Sequence, residues 1–200
     1  MKLHYSSASP YVRKVMAVAI ARGLDGRIEK IATNPHVSPP ELLADNPLSK
    51  VPALVTDDGL ALFDSPVICE YLDSLGDAPA LFPPAGRARW VALRLQAIGD
   101  GILDAAVSRR LQLPWPQDEG RQAYHARQKA AVERALAVLE AEVASLEGPF
   151  TIGSLAVGCA LGYLDFRYAA EPWRPAVPKL AAWFAKAAEA PPLARTVPAG

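Results

Sequence analysis

Asn46-Pro47-Leu48-Ser49-Lys50-Val51-Pro52-Ala53-Leu54 and, nine residues further on, Asp64-Ser65-Pro66-Val67-Ile68-Cys69-Glu70-Tyr71-Leu72 decide how the chain is read. Between and around them, Ala53 to Thr56 and Leu60 to Phe63 are short apolar runs separated by Asp57-Asp58-Gly59, the signature of a hairpin. Ser65-Pro66 then opens a helix lasting to about Gly76, because serine caps helix N-termini well and proline suits the first turn.

Upstream, Lys2 to Tyr5 reads as a strand and Ser9-Pro10 as a second helix start of the same design. Val12, Val15, Met16, Ala19 and Ile20 fall on one face of that helix, and Gly23 marks its end. Arg27 to Ile31 reads as another strand and Pro40 to Ala44 as a short helix. The order β-α-β, irregular link, β-β-α suits a small mixed sheet covered by helices, as in thioredoxin-like folds.

Downstream, Ala78-Pro79-Ala80-Leu81-Phe82-Pro83-Pro84 combines three prolines with small residues, and no comparable strand signal follows it. Val91, Leu95, Ile98, Ile102 and Ala105 step by four and three, as do Val132, Leu136, Leu139, Val143 and Leu146, which predicts two long antiparallel helices. Leu113-Pro114-Trp115-Pro116 separates them. Thr151 can cap a third helix carrying Leu155, Cys159, Tyr163 and Phe166, and Leu180 to Ala188 forms a fourth. The expected layout is an α/β thioredoxin-like domain at 1–77, a linker at 78–86 and an all-α helical bundle at 87–200.

With 200 residues, 51% of them apolar, the chain can bury a sizeable core. Basic and acidic residues balance at 21 each, so no net field recommends nucleic acid or an anionic membrane. Charge or proline interrupts every apolar stretch at about half the roughly 20 residues that a membrane span needs. The opening Met1-Lys2-Leu3-His4-Tyr5 lacks the apolar core of a secretory signal, so a cytoplasmic location is expected. Cys69 and Cys159 lie far apart among apolar residues, and His4, His36 and His125 are scattered, so buried thiols and no metal site are expected.

Chemistry is concentrated at the Ser-Pro pairs. Each helix start points free backbone N-H groups and a positive dipole end outward, ready for an anion, and Ser9 and Ser65 add a hydroxyl. A lone Ser-Pro pair ordinarily means a cap; what shifts the balance is the segment around Val51-Pro52, followed twelve residues later by Asp64-Ser65.

These motifs resemble the glutathione-site signature of the glutathione S-transferase family, and Ser9-Pro10-Tyr11-Val12-Arg13-Lys14 resembles its first helix. Together with Ala97 to Ala105 and Gly162 to Arg167, the likeness to a bacterial branch covers nearly the whole chain. The resemblance implies that Val51 offers its backbone N-H and C=O to the cysteinyl part of glutathione, beside a cis bond to Pro52. Ser65 and the helix amides would accept the γ-glutamyl carboxylate, and Asp64 would face the ammonium. Lys50 can reach the glycine carboxylate or be a solvated surface lysine; His36 is a weaker candidate for the same end. The first-helix region supplies the group that meets the glutathione sulfur. Here that group is Ser9, with Ser6, Ser7 and Tyr5 close enough in sequence to serve instead. Cysteine is absent there, which argues against branches that work through a mixed disulfide with the protein.

Thr151-Ile152-Gly153-Ser154 departs from the family's usual capping box, which ends in aspartate, and a weaker local start is expected there. Arg13, Asp165 and Arg167 read as structural charges. Asp104, Ser108 and Arg109, on the first bundle helix, are the second-substrate candidates, with plain helix surface as their alternative.

The implied activity is a glutathione transferase that adds the activated thiolate to a small electrophilic or hydrophobic molecule. Glutathione is then a co-substrate, and no bound cofactor is expected. A glutathione-binding or ligand-carrying protein with little turnover is the alternative from another class. A glutathione-dependent peroxidase or dehalogenase is a third. The family likeness also implies a homodimer, with Arg89, Trp90 and Arg94 as interface candidates.

Overall fold

The computed structural model describes residues 1–199, and these divide into two compact units, one of residues 1–84 with 190–199 and one of 85–189. In the first, β1 (Lys2–Tyr5), α1 (Pro10–Ala21), β2 (Glu29–Ala32), α2 (Pro40–Asp45), β3 (Ala53–Val55), β4 (Ala61–Leu62) and α3 (Ser65–Leu75) follow in that order. The sheet order is β2-β1-β3-β4, with β1 and β2 parallel and the other pairs antiparallel. Both strands and helices of the expected α/β unit are therefore present. β2 starts two residues later than its apolar run suggests, because a 3₁₀ turn at Asp25–Arg27 takes up the first of them.

Leu3 and His4, adjacent in β1, are both buried, and neighbouring strand residues face opposite sides of a sheet, so this sheet is covered on both. Leu3, Val15, Leu54, Ile68 and Leu72 are fully buried, with α1 and α3 packed together. Each such side chain contributes on the order of 1.5–3 kcal/mol by leaving water. The far ends of α1 and α3 are tied through a buried ion pair, Arg22 Nε to Asp73 Oδ1 at 3.1 Å. The Asp73 carboxylate also accepts from the Leu81 and Phe82 amides at 2.8 and 3.1 Å, which anchors the proline-rich segment. Glycine is required at Gly76, where a Cβ would lie 2.7 Å from the Arg22 carbonyl oxygen.

The second unit is all helix: α4 (Gly86–Gln112), α5 (Glu119–Ala141), α6 (Ile152–Arg167) and α7 (Pro178–Ala187). The centre of this unit is α6, buried from Ile152 through Leu164. It lies against α4 at two glycines: a Cβ on Gly99 would meet Ala156 at 2.7 Å, and one on Gly153 would meet the Ala92 carbonyl at 2.5 Å. Thr151 and Ser154 form a complete capping box, with Thr151 N-H donating to Ser154 Oγ at 2.9 Å and Ser154 N-H to Thr151 Oγ1 at 3.3 Å. Serine thus closes the box that the sequence reading expects to be weak.

The apolar spacing predicts a helix running through Leu146, but α5 ends at Ala141 and a 3₁₀ turn carries Val143–Leu146. Leu146 is still buried, so the apolar spacing reports the core correctly while the helix type changes beneath it. After α7 the chain adds a short helix, α8 (Pro191–Ala194), which packs on α1 in the first unit. Arg13 donates to the Leu193 carbonyl at 3.2 Å. The sequence reading ends the helical domain at residue 200; in the structure residues 190–199 group with the first unit. Among the described residues, no helix is long and apolar enough to cross a membrane.

Candidate functional site

Strand direction places the sequence candidates at one edge of the sheet. β1 ends near His4, which pairs with Ala53 at the start of β3, so the exit of β1 and the entry to β3 share an end. β4 runs antiparallel to β3, from Ala61 opposite Val55 to Leu62 opposite Leu54, and leaves toward that same end. The exit of β1 leads to Ser9, the entry to β3 comes from Val51, and the exit of β4 leads to Asp64 and Ser65.

Ser9 is the N-cap of α1, with its Oγ accepting from the Val12 amide at 3.3 Å. A hydroxyl that accepts in this way still has its own O-H to donate. Of the neighbours that could replace it, Ser6 accepts from the Ser9 amide through its carbonyl at 3.1 Å, and Ser7 is exposed. The Tyr5 ring has the Lys30 ammonium over it, 5.2 Å from its centroid.

Val51 is buried and precedes Pro52 through a cis peptide bond, as the resemblance implies. It stands outside the β1–β3 ladder, whose register begins at Ala53. Its approach is shaped by Asn46, only 1% exposed. The Asn46 side chain donates to the Lys50 carbonyl at 2.8 Å and accepts from the Leu48 amide at 3.0 Å. Ser49 sits in the left-handed region at φ 52° and donates to Ser38 Oγ at 2.8 Å. Sequence reasoning quotes Asn46 inside the motif but assigns it no part. The signal was available, since asparagine before proline commonly bonds its own backbone two residues on. Lys50 and His36 are both exposed, and the His36 backbone amide donates to Asn34 Oδ1 at 3.1 Å.

At α3 the N-cap is Asp64, exposed and without a capping bond from its carboxylate, and the Phe63–Asp64 peptide bond is also cis. Ser65 is the first helical residue and 2% exposed, yet its hydroxyl bonds to no other described residue. The little of this residue that solvent reaches includes its hydroxyl oxygen. Here an unbonded hydroxyl, a helix N-terminus and an unbonded carboxylate are consecutive.

In the second unit, Asp104 is exposed on α4, and Ser108 donates to its own helix at the Ala105 carbonyl, 3.0 Å away. Arg109 is engaged elsewhere: its Nη2 reaches Glu171 Oε1 at 2.7 Å, its guanidinium lies 4.6 Å from the Tyr168 ring centroid, and its side chain is 12% exposed. Partial burial raises the Glu171 pKa, but hydrogen bonds from Arg109 and Lys129 outweigh it and hold the carboxyl below its ordinary range. Arg109 therefore belongs to a structural ion pair, not to an open helix face. Asp165 likewise pairs with Arg174 and accepts from Trp173 Nε1 at 2.8 Å. Among the described residues, no group of three or more His, Cys, Asp or Glu side chains is arranged to hold a metal ion.

Residues 8–75 match the family model for the glutathione S-transferase N-terminal domain, and residues 122–186 match that for the C-terminal domain. An uncharacterized GST-like protein of Escherichia coli, YibF, is 34% identical over 188 residues, covering 90% of this chain and 91% of its own. A glutathione transferase family member from Pseudomonas fluorescens, solved with bound glutathione, superposes with a TM-score of 0.93 at 42% identity, covering 100% of this chain and 99% of the other. A structure from the same species with bound S-(propanoic acid)-glutathione gives a TM-score of 0.90 at 41% identity, with both chains covered completely. The paired α/β and helical units, the cis Val51–Pro52 bond and these likenesses extending over the whole length establish that the chain belongs to the glutathione S-transferase family.

Proposed function

We propose that the protein binds glutathione at the sheet edge defined by Ser9, Val51, Asp64 and Ser65, and adds its thiolate to a small electrophile. The observation that carries this reading is the Ser65 hydroxyl, open to solvent and without a protein partner, beside the unbonded Asp64 carboxylate at the start of α3. A γ-glutamyl group presents one carboxylate and one ammonium on a single carbon. Ser65 and the α3 amides suit the first, and Asp64 the second. Val51 pairs its backbone with the cysteinyl segment, and Lys50 reaches the glycine carboxylate.

Ser9 completes the site by donating its O-H to the sulfur, stabilising the thiolate over the thiol. The thiolate then attacks an electrophilic carbon, forming the C-S bond as a leaving group departs or as a double bond takes up a proton from water. Bound glutathione and a bound glutathione conjugate in two structures about 40% identical support both partners of this reaction. The propanoic acid conjugate supports a short electrophile carrying a carboxylate. For the second substrate we keep Asp104 and Ser108 as candidates; Arg109 acts through its ion pair by holding that part of α4.

The reading extends to a cytoplasmic homodimer. Trp90, 68% exposed on α4, is an apolar surface that a two-fold interface would cover. Light scattering at micromolar concentration is expected to give twice the chain mass, and a monomer there removes the dimer. For the activity itself, a panel of aryl halides, hydroperoxides and haloacids is assayed while glutathione binding is measured in parallel. Turnover of a halide or haloacid with conjugate formation is expected. Binding without turnover on any of them overturns the transferase in favour of a carrier.

A further inference from the structure

The glutathione loop is flanked by a buried histidine that no step above uses. His4, in β1, is 2% exposed, and both ring nitrogens are bonded: Nδ1 to Thr33 Oγ1 and Nε2 to Asp45 Oδ2, each at 2.9 Å. The Asp45 carboxylate can only accept, so Nε2 donates to it, while Nδ1 and the Thr33 hydroxyl can share the other bond in either direction. Thr33 Oγ1 also lies 2.9 Å from the Ile31 carbonyl oxygen.

We propose that His4 is a positioning residue that clamps together the two segments bordering the glutathione loop. The inference rests on the glutathione-site reading given above. One segment is Thr33 to Ser38, which leaves β2 and meets the loop where Ser49 Oγ bonds Ser38 Oγ at 2.8 Å. The other is the end of α2: Asp45 is its last residue and is followed directly by Asn46, whose side chain fixes the Lys50 carbonyl next to Val51. In the sheet, the residues paired with His4 are Ile31 and Ala53, both apolar, and its two side-chain bonds run to Thr33 and Asp45. A buried ring bonded at both nitrogens holds the two segments together, because moving either one away strands a buried polar atom.

The role is read on the full-length protein. His4→Gln, which lacks the two opposed ring nitrogens, is expected to raise the glutathione dissociation constant and KM about ten-fold while leaving kcat at saturating glutathione within about two-fold. Should His4→Gln fail to fold, Asp45→Ala removes the acceptor of Nε2 and is expected to give the same split. A folded variant of either kind that binds glutathione as the parent does overturns the positioning role alone. A parent that binds no glutathione overturns the glutathione reading, and this role with it.

Discussion

The two Ser-Pro helix starts look interchangeable in sequence and differ in the folded protein. At α1 the serine stands outside the helix as its N-cap, and Ser9 Oγ accepts from Val12 N-H. At α3 the whole pattern is moved by one residue: Asp64 is the cap position, Ser65 is already helical, and neither side chain satisfies a helix amide. The α1 terminus is internally capped and has one hydroxyl proton to offer. The α3 terminus leaves its amides, a hydroxyl and a carboxylate without intramolecular partners. What separates the capped terminus from the open one is thus a one-residue shift, set by the turn out of β4 and not by the dipeptide.

The largest expected effects lie on the open terminus. Asp64→Ala and Ser65→Ala are each expected to weaken glutathione binding by roughly 1.5–3 kcal/mol, the range for a hydrogen bond to a charged group. That is about ten- to 150-fold in the dissociation constant, well within calorimetric reach. If both variants bind as tightly as the parent, the γ-glutamyl end is held elsewhere and the contrast between the two helix starts has no functional content.

Almost all of the fold could be read in advance because its signals are local. Ser9-Pro10 and Gly23 bracket α1, Asp57-Asp58-Gly59 marks the hairpin, and Thr151 starts α6, each through the conformation of a few residues. Long-range relations were not legible. Nothing near Glu142 announces that α5 gives way to a 3₁₀ turn there, and nothing in Pro191–Ala194 shows that it returns to α1. The site divides in the same way. Ser65 and Val51 stand in a recognisable motif, whereas His4 shows its partners only after β1, β2 and α2 are assembled. Arg109 likewise shows its partner Glu171, 62 positions away, only in the folded chain.

The capped terminus sets the next effect, on rate. A free thiol titrates near about 8.5, so only a few per cent is thiolate at neutral pH. A bond from Ser9 made preferentially to the anion, about 1.5–3 kcal/mol, lowers that by roughly one to two pH units. Ser9→Ala is then expected to reduce turnover at neutral pH by about ten- to a hundred-fold, with the deficit shrinking as alkaline pH ionises the thiol unaided. Glutathione affinity changes less than rate. Thiolate absorbance of the bound complex is the direct measurement: an unchanged titration in Ser9→Ala moves the role to Ser6 or Tyr5.

The smallest effect, and the one that separates the two termini without any ligand, is on stability. Ser9 accepts a helix amide that has no intrahelical partner, and replacing such a cap with alanine costs about 1 kcal/mol. For a chain of this length that corresponds to roughly 2–4 °C in Tm. Ser65 satisfies no helix amide, so Ser65→Ala in the absence of glutathione is expected to stay within about 0.5 kcal/mol of the parent, and its lost hydroxyl leaves no stranded partner behind. Glutathione then reverses the ranking. At about a hundred times its dissociation constant a ligand adds about 2.7 kcal/mol to the parent, and Ser65→Ala, binding more weakly, gains less at that same concentration. Melting curves of the three proteins with and without glutathione read both terms at once. A Ser65→Ala protein as destabilised as Ser9→Ala without ligand would show that Ser65 supports α3 itself, and the distinction between a capped and an open helix start would fall.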